Sequence, residues 1–352
     1  MISARNGIHN LVRPDRRPQI AIAAWPPVAR RWTVSDVDHT DNLWRRGDMI
    51  AAGRTRSEID RRCDTGAWQA PYRGVLLTNT APVNFSTQVA AAVATQPPGR
   101  AHASHDTAAL WRLDAPRSST CTDLHVTVPR DAVTRHRPGL RLHRALLDAE
   151  DQAEVEVIAV TSAAPTVLDL ARTRGRWASV VAADSALRRK LCSPDDLDRA
   201  LERITGLRGV VPARVVVEDS EPRSRSAGES RLRLTLVDGG LPRPRAGYLL
   251  FNDFGDPIAE GDLVYDERLV WLEYDGFSVH TERATFRNDR GRERMLRARG
   301  WEVIRFVDSD LDIARGVMAD AAAALADAPR RISALPAGRS PEIARARRLL
   351  GM

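Results

Sequence analysis

Residues Gly261–His280 read GDLVYDERLVWLEYDGFSVH. Asp262 opens a short strand, Asp266-Glu267-Arg268 makes a tight turn, and Leu269 to Asp275 forms a second strand. Side chains alternate across a strand, so Glu273 and Asp275 share a face. Pairing the two strands as a hairpin carries Asp262 toward them, and three carboxylates then converge just before Gly276. Like charges held that close resist ionisation unless something positive lies between them. A divalent cation with oxygen ligands answers that need. His280, four residues past Gly276, is close enough to activate a water beside such a cation.

The flanks extend the pattern. Asp262, Glu273-Tyr274-Asp275-Gly276 and His280 are followed by Arg287-Asn288-Asp289 and then by Leu296-Arg297-Ala298-Arg299-Gly300-Trp301-Glu302-Val303-Ile304-Arg305-Phe306. In this order they resemble the very-short-patch-repair-type endonuclease domain, and more closely its uncharacterised bacterial relatives in the PD-(D/E)XK nuclease superfamily. The resemblance covers residues 222–312. It implies a restriction-endonuclease-like α/β/α domain over residues 222–328. It also implies Mg²⁺ (or Mn²⁺) held by Asp262 and Glu273, Asp275 as a third or orienting ligand, and His280 as acid or base. The superfamily usually carries a lysine two residues after the glutamate, where this chain has Asp275. The short-patch type does without that lysine and uses a histidine farther on, which His280 matches. Glu229 has two readings. It stands where the superfamily often places a further acid, and it closes an S-x-x-E capping box from Ser226.

Composition permits nucleic acid without requiring it. The chain has 352 residues, 43% of them apolar, a net charge of +7 and a single lysine, Lys190. An isoelectric point near 10.1 suits a polyanionic partner, and guanidinium groups match phosphate geometry. A GC-rich genome also yields an arginine bias of this kind. Cys63, Cys121 and Cys192 are far apart and form no CxxC, which argues against a zinc ribbon or a disulfide scaffold and fits a reducing cytosol. No apolar run reaches membrane-span length, and Ile20 to Trp25 is too short for a signal-peptide core. The expectation is a soluble, cytoplasmic protein with no membrane partner.

Residues 1–34 read as a loose extension. Ser35 caps a helix expected to run to Ala52, with Gly53 as its stop; Thr55–Arg62 begins a second helix ending at Gly66; Trp68–Thr78 alternates like a hairpin turning at Tyr72-Arg73-Gly74. Helix, turn, helix and wing over residues 35–80 is the order of a winged helix-turn-helix. The Thr-Arg-Ser start, Gly-x-Trp and Arg-Gly-Val wing resemble the N-terminal domain of AbiEi-like type IV antitoxins. In the DNA-binding reading Arg54, Arg56, Arg61 and Arg62 meet the major groove, and Arg73 lies along the backbone. Residues 85–215 form a mixed α/β middle region, with helices expected over Gln88–Ala94 and His102–Leu113 and strands over Leu124–Val128, Leu140–His143 and Val155–Val160. Thr161–Ala171 enters a helix and resembles a linker motif of the same antitoxin-like proteins. His102, His105, His125, His136 and His143 lack a tidy ligand spacing and read as scattered structural positions.

After the 218–226 linker, a helix from Ser226 to Val237 precedes the hairpin. A helix over residues 282–299 then carries Arg283, Arg287, Arg290, Arg294 and Arg297 along one side, a rail for a phosphate backbone. Trp301–Val307 is a strand, Ala314–Ala326 a helix, and residues 329–352 a basic tail. The whole reads as a multidomain α/β protein: a metal-dependent DNA endonuclease recruited by an N-terminal winged helix. The alternative is an antitoxin-like DNA-binding transcriptional regulator whose nuclease-fold domain is inactive. The antitoxin resemblance implies DNA, and a cognate toxin or a second copy of the chain, as partners.

Overall fold

The computed structural model describes residues 42–78, 84–105, 109–114, 123–135, 137–276, 283–336 and 338–352, with the backbone alone for 283–289. These residues make a mixed α/β protein with twelve α-helices and three sheets. The first sheet is antiparallel: β1 (Leu43–Arg45), β3 (Val75–Leu77) and β2 (Gln69–Tyr72), in that spatial order. Between β1 and β2 lie α1 (Arg46–Ala51) and α2 (Arg56–Asp64). Thr55 caps α2, its hydroxyl accepting from Glu58 N at 3.2 Å. Met49, Ile59, Trp68 and Leu76 close a small core beneath the two helices. The helix expected up to Ala52 is shorter than its sequence suggests. Leu43–Arg45 instead pairs with β3, because an edge ladder is available there; residues 35–41 lie outside the described ones.

The middle sheet runs β6 (Leu140–Arg144), β5 (Leu124–Val128), β4 (His102–Ala103), β8 (Ile158–Thr161), β7 (Gln152–Val155), with α3 (Phe85–Val93) packed against it. Two expectations change here. His102–Leu113 does not begin a helix: Ala103 pairs with Val126 on one side and Val160 on the other, so tertiary pairing overrides an alanine-rich pattern. Val155–Val160 is not one strand but a hairpin, turning at Glu156 and Val157, whose φ values are 51° and 59°. That is the left-handed pair a two-residue hairpin turn requires, made here without glycine or asparagine.

Four helices follow: α4 (Ala163–Thr173), α5 (Arg176–Arg188), α6 (Pro194–Arg203) and α7 (Val210–Asp219). The next helix, α8 (Ala227–Asp238), faces two ways. Leu234 joins the core of α4–α7, while Leu232 and Leu236 join the core of the last sheet.

That sheet has the order β12 (Glu302–Phe306), β11 (Val270–Tyr274), β10 (Pro257–Tyr265), β9 (Arg245–Phe251). β9, β10 and β11 form an antiparallel meander, and β12 returns parallel to β11 after α9 (Arg283–Ala298). Parallel strands need a crossover of this kind. Alternation buries both faces. Leu263, Val270 and Leu272 meet α8, the short α10 (Asp308–Leu311) and the first half of α11 (Ala314–Ala334), whereas Val264, Trp271 and Val303 meet Leu296 of α9 and α12 (Pro341–Leu349). In the second layer Trp271 packs edge-on against Tyr248 and Trp301, which are tilted to each other. Residues 329–352 are therefore no free tail: Ile332, Ile343 and Ala346 are fully buried there.

Gly228, at the start of α8, sets how closely Tyr274 approaches. A Cβ there would lie 1.9 Å from Tyr274 Cε1, and the Tyr274 hydroxyl is fixed by donating to Asp308 Oδ1 at 2.6 Å. Alanine gains at most about 1 kcal/mol of helix propensity, and overpacking costs about 1–3 kcal/mol or more. Gly228→Ala is expected to destabilise, seen as a lower urea midpoint with unchanged slope. A midpoint that rises would show the ring free to move aside.

Candidate functional site

β10 and β11 pair Leu263 with Leu272 and Val264 with Trp271. Extending that register by one pair puts Asp262 opposite Glu273 on one face of the sheet. The hairpin expectation holds, although the second strand starts at Val270 because Leu269 sits in the turn at φ 51°. Asp262 and Glu273 are both buried, and Glu229 at the start of α8 is buried beside them; Asp275 is exposed. His280 lies outside the described residues.

Arginines organise these acids, and sequence reasoning missed them. Arg225 Nη2 donates to Asp262 Oδ1 at 2.6 Å, its Nη1 to Glu260 at 3.0 Å, and its backbone N to Glu229 Oε2 at 2.8 Å. Asp262 Oδ2 accepts from the backbone N of Tyr274 at 2.9 Å, which ties the acid to the partner strand. Glu273 Oε1 accepts from Trp271 Nε1 at 3.1 Å and pairs with Arg292 Nη2 at 2.9 Å. Arg305, its register partner on β12, places Nη2 3.1 Å from Glu273 Oε2 and Nη1 3.2 Å from Asp275 Oδ2. That approach to Oε2 is a charge contact out of hydrogen-bond alignment, so Oε2 is buried and accepts no hydrogen bond. Burial pushes Glu273 above the usual carboxylate range, against Arg292 and Arg305, which pull it down. Burial, then the charge of Asp262, pushes Glu229 up as well. Ser226 Oγ accepts from Glu229 N at 3.1 Å, so the cap forms, but the Glu229 carboxylate accepts from the backbone N of Arg225 rather than that of Ser226, and the expected capping box is only half made.

The arginines chosen for DNA divide between two surfaces. Arg54, Arg56, Arg61, Arg62 and Arg73 are all exposed, Arg54 just before α2, the next three on it and Arg73 at the β2–β3 turn. Arg54 pairs with Glu58 at 2.8 Å, and Arg62 stacks 5.1 Å over the Trp68 ring. On α9, Arg290, Arg294 and Arg297 are exposed, with Arg297 Nε 3.0 Å from Glu293. Arg283 and Arg287 belong to the same helix, in the part described by backbone alone.

The histidines supply a second constellation, and here the expectation of scattered positions is corrected. His125 on β5 and His143 on β6 lie on adjacent parallel strands, and His105 follows β4. Ligand atoms of His105, His125 and His143 all lie within 4.8 Å of one another, the one such group of three or more His, Cys, Asp or Glu among the described residues. His143 Nε2 is 3.0 Å from His125 Nδ1, and His105 Nδ1 is 3.1 Å from Ser104 Oγ and 3.6 Å from Asp169 Oδ2. His102 stands apart, and His136 lies outside the described residues. Burial, then neighbouring charge, lowers His125 and His143 to about 4 and His105 further; burial raises Asp169 to about 6.

This cluster makes stability depend on pH. Unfolded histidine, with a pKa near 6.5, takes up protons that the folded cluster refuses until about pH 4. Stability is therefore lost as pH falls from about 6.5 to about 4. Asp169 opposes this from about pH 6 downward, since its raised pKa lets the folded state bind a proton that the unfolded chain takes up only near pH 4. Two or three histidines outweigh one carboxyl. Urea midpoints at pH 7 and pH 4.5 are expected to differ by more in the wild type than in His143→Gln. Equal differences would remove the cluster from the account.

No protein-family model matches the chain. An uncharacterized protein of Mycobacterium tuberculosis, in strains CDC 1551 and H37Rv, is 28% identical over 183 residues, which is 51% of this chain. The matched region spans 66% of that protein's own length. No helix among the described residues is long and apolar enough to cross a membrane.

Proposed function

We propose that the chain is a metal-dependent DNA endonuclease whose last sheet carries the phosphodiester-cleaving site and whose N-terminal region docks on DNA as a winged helix. The observation that carries the reading is the buried Glu273 Oε2, which accepts no hydrogen bond and lies on the sheet face that Asp262 shares. A buried carboxylate oxygen with no aligned hydrogen-bond donor, faced only by the part-exposed Arg305 guanidinium at 3.1 Å, favours a cation beside it. Asp262 and Glu273 fit Mg²⁺ or Mn²⁺ as oxygen ligands, with Glu229 and Asp275 as neighbouring acids. When bound, such an ion offsets phosphate charge and lowers the pKa of an attacking water.

The chain's own residues do the rest. Trp271 and the backbone N of Tyr274 hold the two carboxylates in place. Arg292 and Arg305 oppose the upward push of burial on Glu273 and so favour the charged form that a metal ligand needs. His280 is the residue proposed to move the proton. Arg290, Arg294 and Arg297 on α9, with Arg283 and Arg287 earlier in the helix, would follow the phosphate backbone. Two further features support the reading. One is the three-stranded meander, crossover helix and fourth parallel strand flanked by helices, an order in keeping with the α/β/α domain that the resemblance implies. The β1–β3–β2 sheet with α1 and α2 supplies the order of a winged helix.

The regulator reading is favoured by one observation: Asp262 and Glu273 already have charged partners in Arg225, Arg292 and Arg305. Supercoiled plasmid in Mn²⁺ separates the two. Wild type is expected to nick it, and Asp262→Ala and Glu273→Ala are not. Folded wild-type protein that retards DNA on a gel and leaves the plasmid intact would move the assignment to an antitoxin-like regulator.

A further inference from the structure

We infer that His105, His125 and His143 form a site for a borderline transition-metal dication of the Zn²⁺ class, separate from the carboxylates of the last sheet. Around a tetrahedral ion with bonds of about 2.0–2.1 Å, donor nitrogens sit about 3.4 Å apart. The 3.0 Å separation of His143 Nε2 and His125 Nδ1, within a group whose ligand atoms all lie inside 4.8 Å, brackets that spacing. Three imidazoles are the donor set that selects Zn²⁺ over Mg²⁺ or Ca²⁺, which prefer oxygen. The rings are carried by strands, or next to one, so the site is held by the sheet rather than by a loose loop.

The surroundings have the features of a ligand shell. His105 Nδ1 faces Ser104 Oγ and the Asp169 carboxylate, the contacts that orient a ligating histidine and leave Nε2 for the ion. Ser104 Oγ is fixed in turn by accepting from Thr127 Oγ1 at 2.9 Å. Burial keeps all three rings neutral, and only a neutral ring has a lone pair to give. His105, His143 and Asp169 line a cavity of about 680 Å³, so an ion held by three histidines would keep an open position facing it. The arginines that face the rings, Arg141, Arg172 and Arg174, oppose a bare cation, but Arg172 is engaged by Asp169 at 3.3 Å and Arg141 by Asp123 at 3.5 Å.

The test uses the full chain, stripped with EDTA and titrated with Co²⁺. One equivalent is expected to bind with the intense visible absorption of a low-coordinate Co²⁺ site, displaced by Zn²⁺. His125→Gln and His143→Gln should each abolish that band, and Asp169→Asn should weaken binding about 10- to 100-fold through loss of the orienting carboxylate. His102→Gln, on the same sheet and outside the group, and Asp262→Ala, at the other site, should leave the band intact. Folded wild-type protein that gives no Co²⁺ band would overturn the assignment. So would a band that survives in both folded histidine variants, or one that disappears in Asp262→Ala.

Discussion

Asp184→Ala is expected to lower the free energy of unfolding by about 3–5 kcal/mol, a large part of the 5–15 kcal/mol typical of a folded domain. Asp184 and Arg233 are both fully buried, and their side chains meet at 2.7 Å between α5 and α8. Asp184 also accepts from Ser230 Oγ and from the backbone N of Glu221, each at 2.6 Å; Arg233 Nη1 donates to the carbonyl of Asp219 at 2.6 Å. The ion pair thus holds the start of α8 to the α4–α7 layer. Removing the acid leaves a guanidinium with no countercharge in a space water does not reach, and that cost greatly exceeds what the intact pair contributes. The double variant Asp184→Leu with Arg233→Met removes both charges and is expected to recover most of the loss. Urea unfolding of the three proteins checks this. A single-variant loss below about 1 kcal/mol, or a double variant no better than the single, would show that the pair is solvated.

Which parts of the fold were legible follows from how local their causes are. The Asp262–Glu273 hairpin was readable because period-two alternation, the charged turn Asp266-Glu267-Arg268 and a glycine exit all fall within twenty residues. The α2 boundary was readable because Thr55 and Glu58 are three residues apart. Arg225, Arg292 and Arg305 were not, since they lie 37, 19 and 32 residues from Asp262, Glu273 and Glu273 respectively, and nothing in their own neighbourhoods marks them. The histidine group fails the same way. Two of its members meet because β5 and β6 run parallel with Thr127 beside His143, a register that no sequence spacing reveals. The C-terminal segment misled through composition. Its arginines suggested a basic tail, while the buried Ile332, Ile343 and Ala346 pin α11 and α12 to the sheet.

Glu273→Ala is expected to reduce plasmid nicking by about 10³-fold or more, and to cost far less in stability. A metal ion's stabilisation of transition-state charge amounts to several kcal/mol, and each 1.36 kcal/mol is tenfold in rate. Losing a ligand of a two-carboxylate site forfeits most of that. Stability responds differently because the charged partners of Glu273 reach solvent: the Arg292 and Arg305 side chains are 33% and 30% exposed, so water can solvate them once the acid is gone. Glu273→Gln sharpens the distinction. The amide keeps the shape and can still accept from Trp271 Nε1, so packing against Trp271 survives while the charge that would hold the cation does not. Nicking lost equally in both variants, with urea midpoints close to wild type, would assign the carboxylate to chemistry. Activity retained in Glu273→Gln would mean that the side chain matters for its packing and that the catalytic charge lies elsewhere, with Glu229 and Asp262 the next acids to replace.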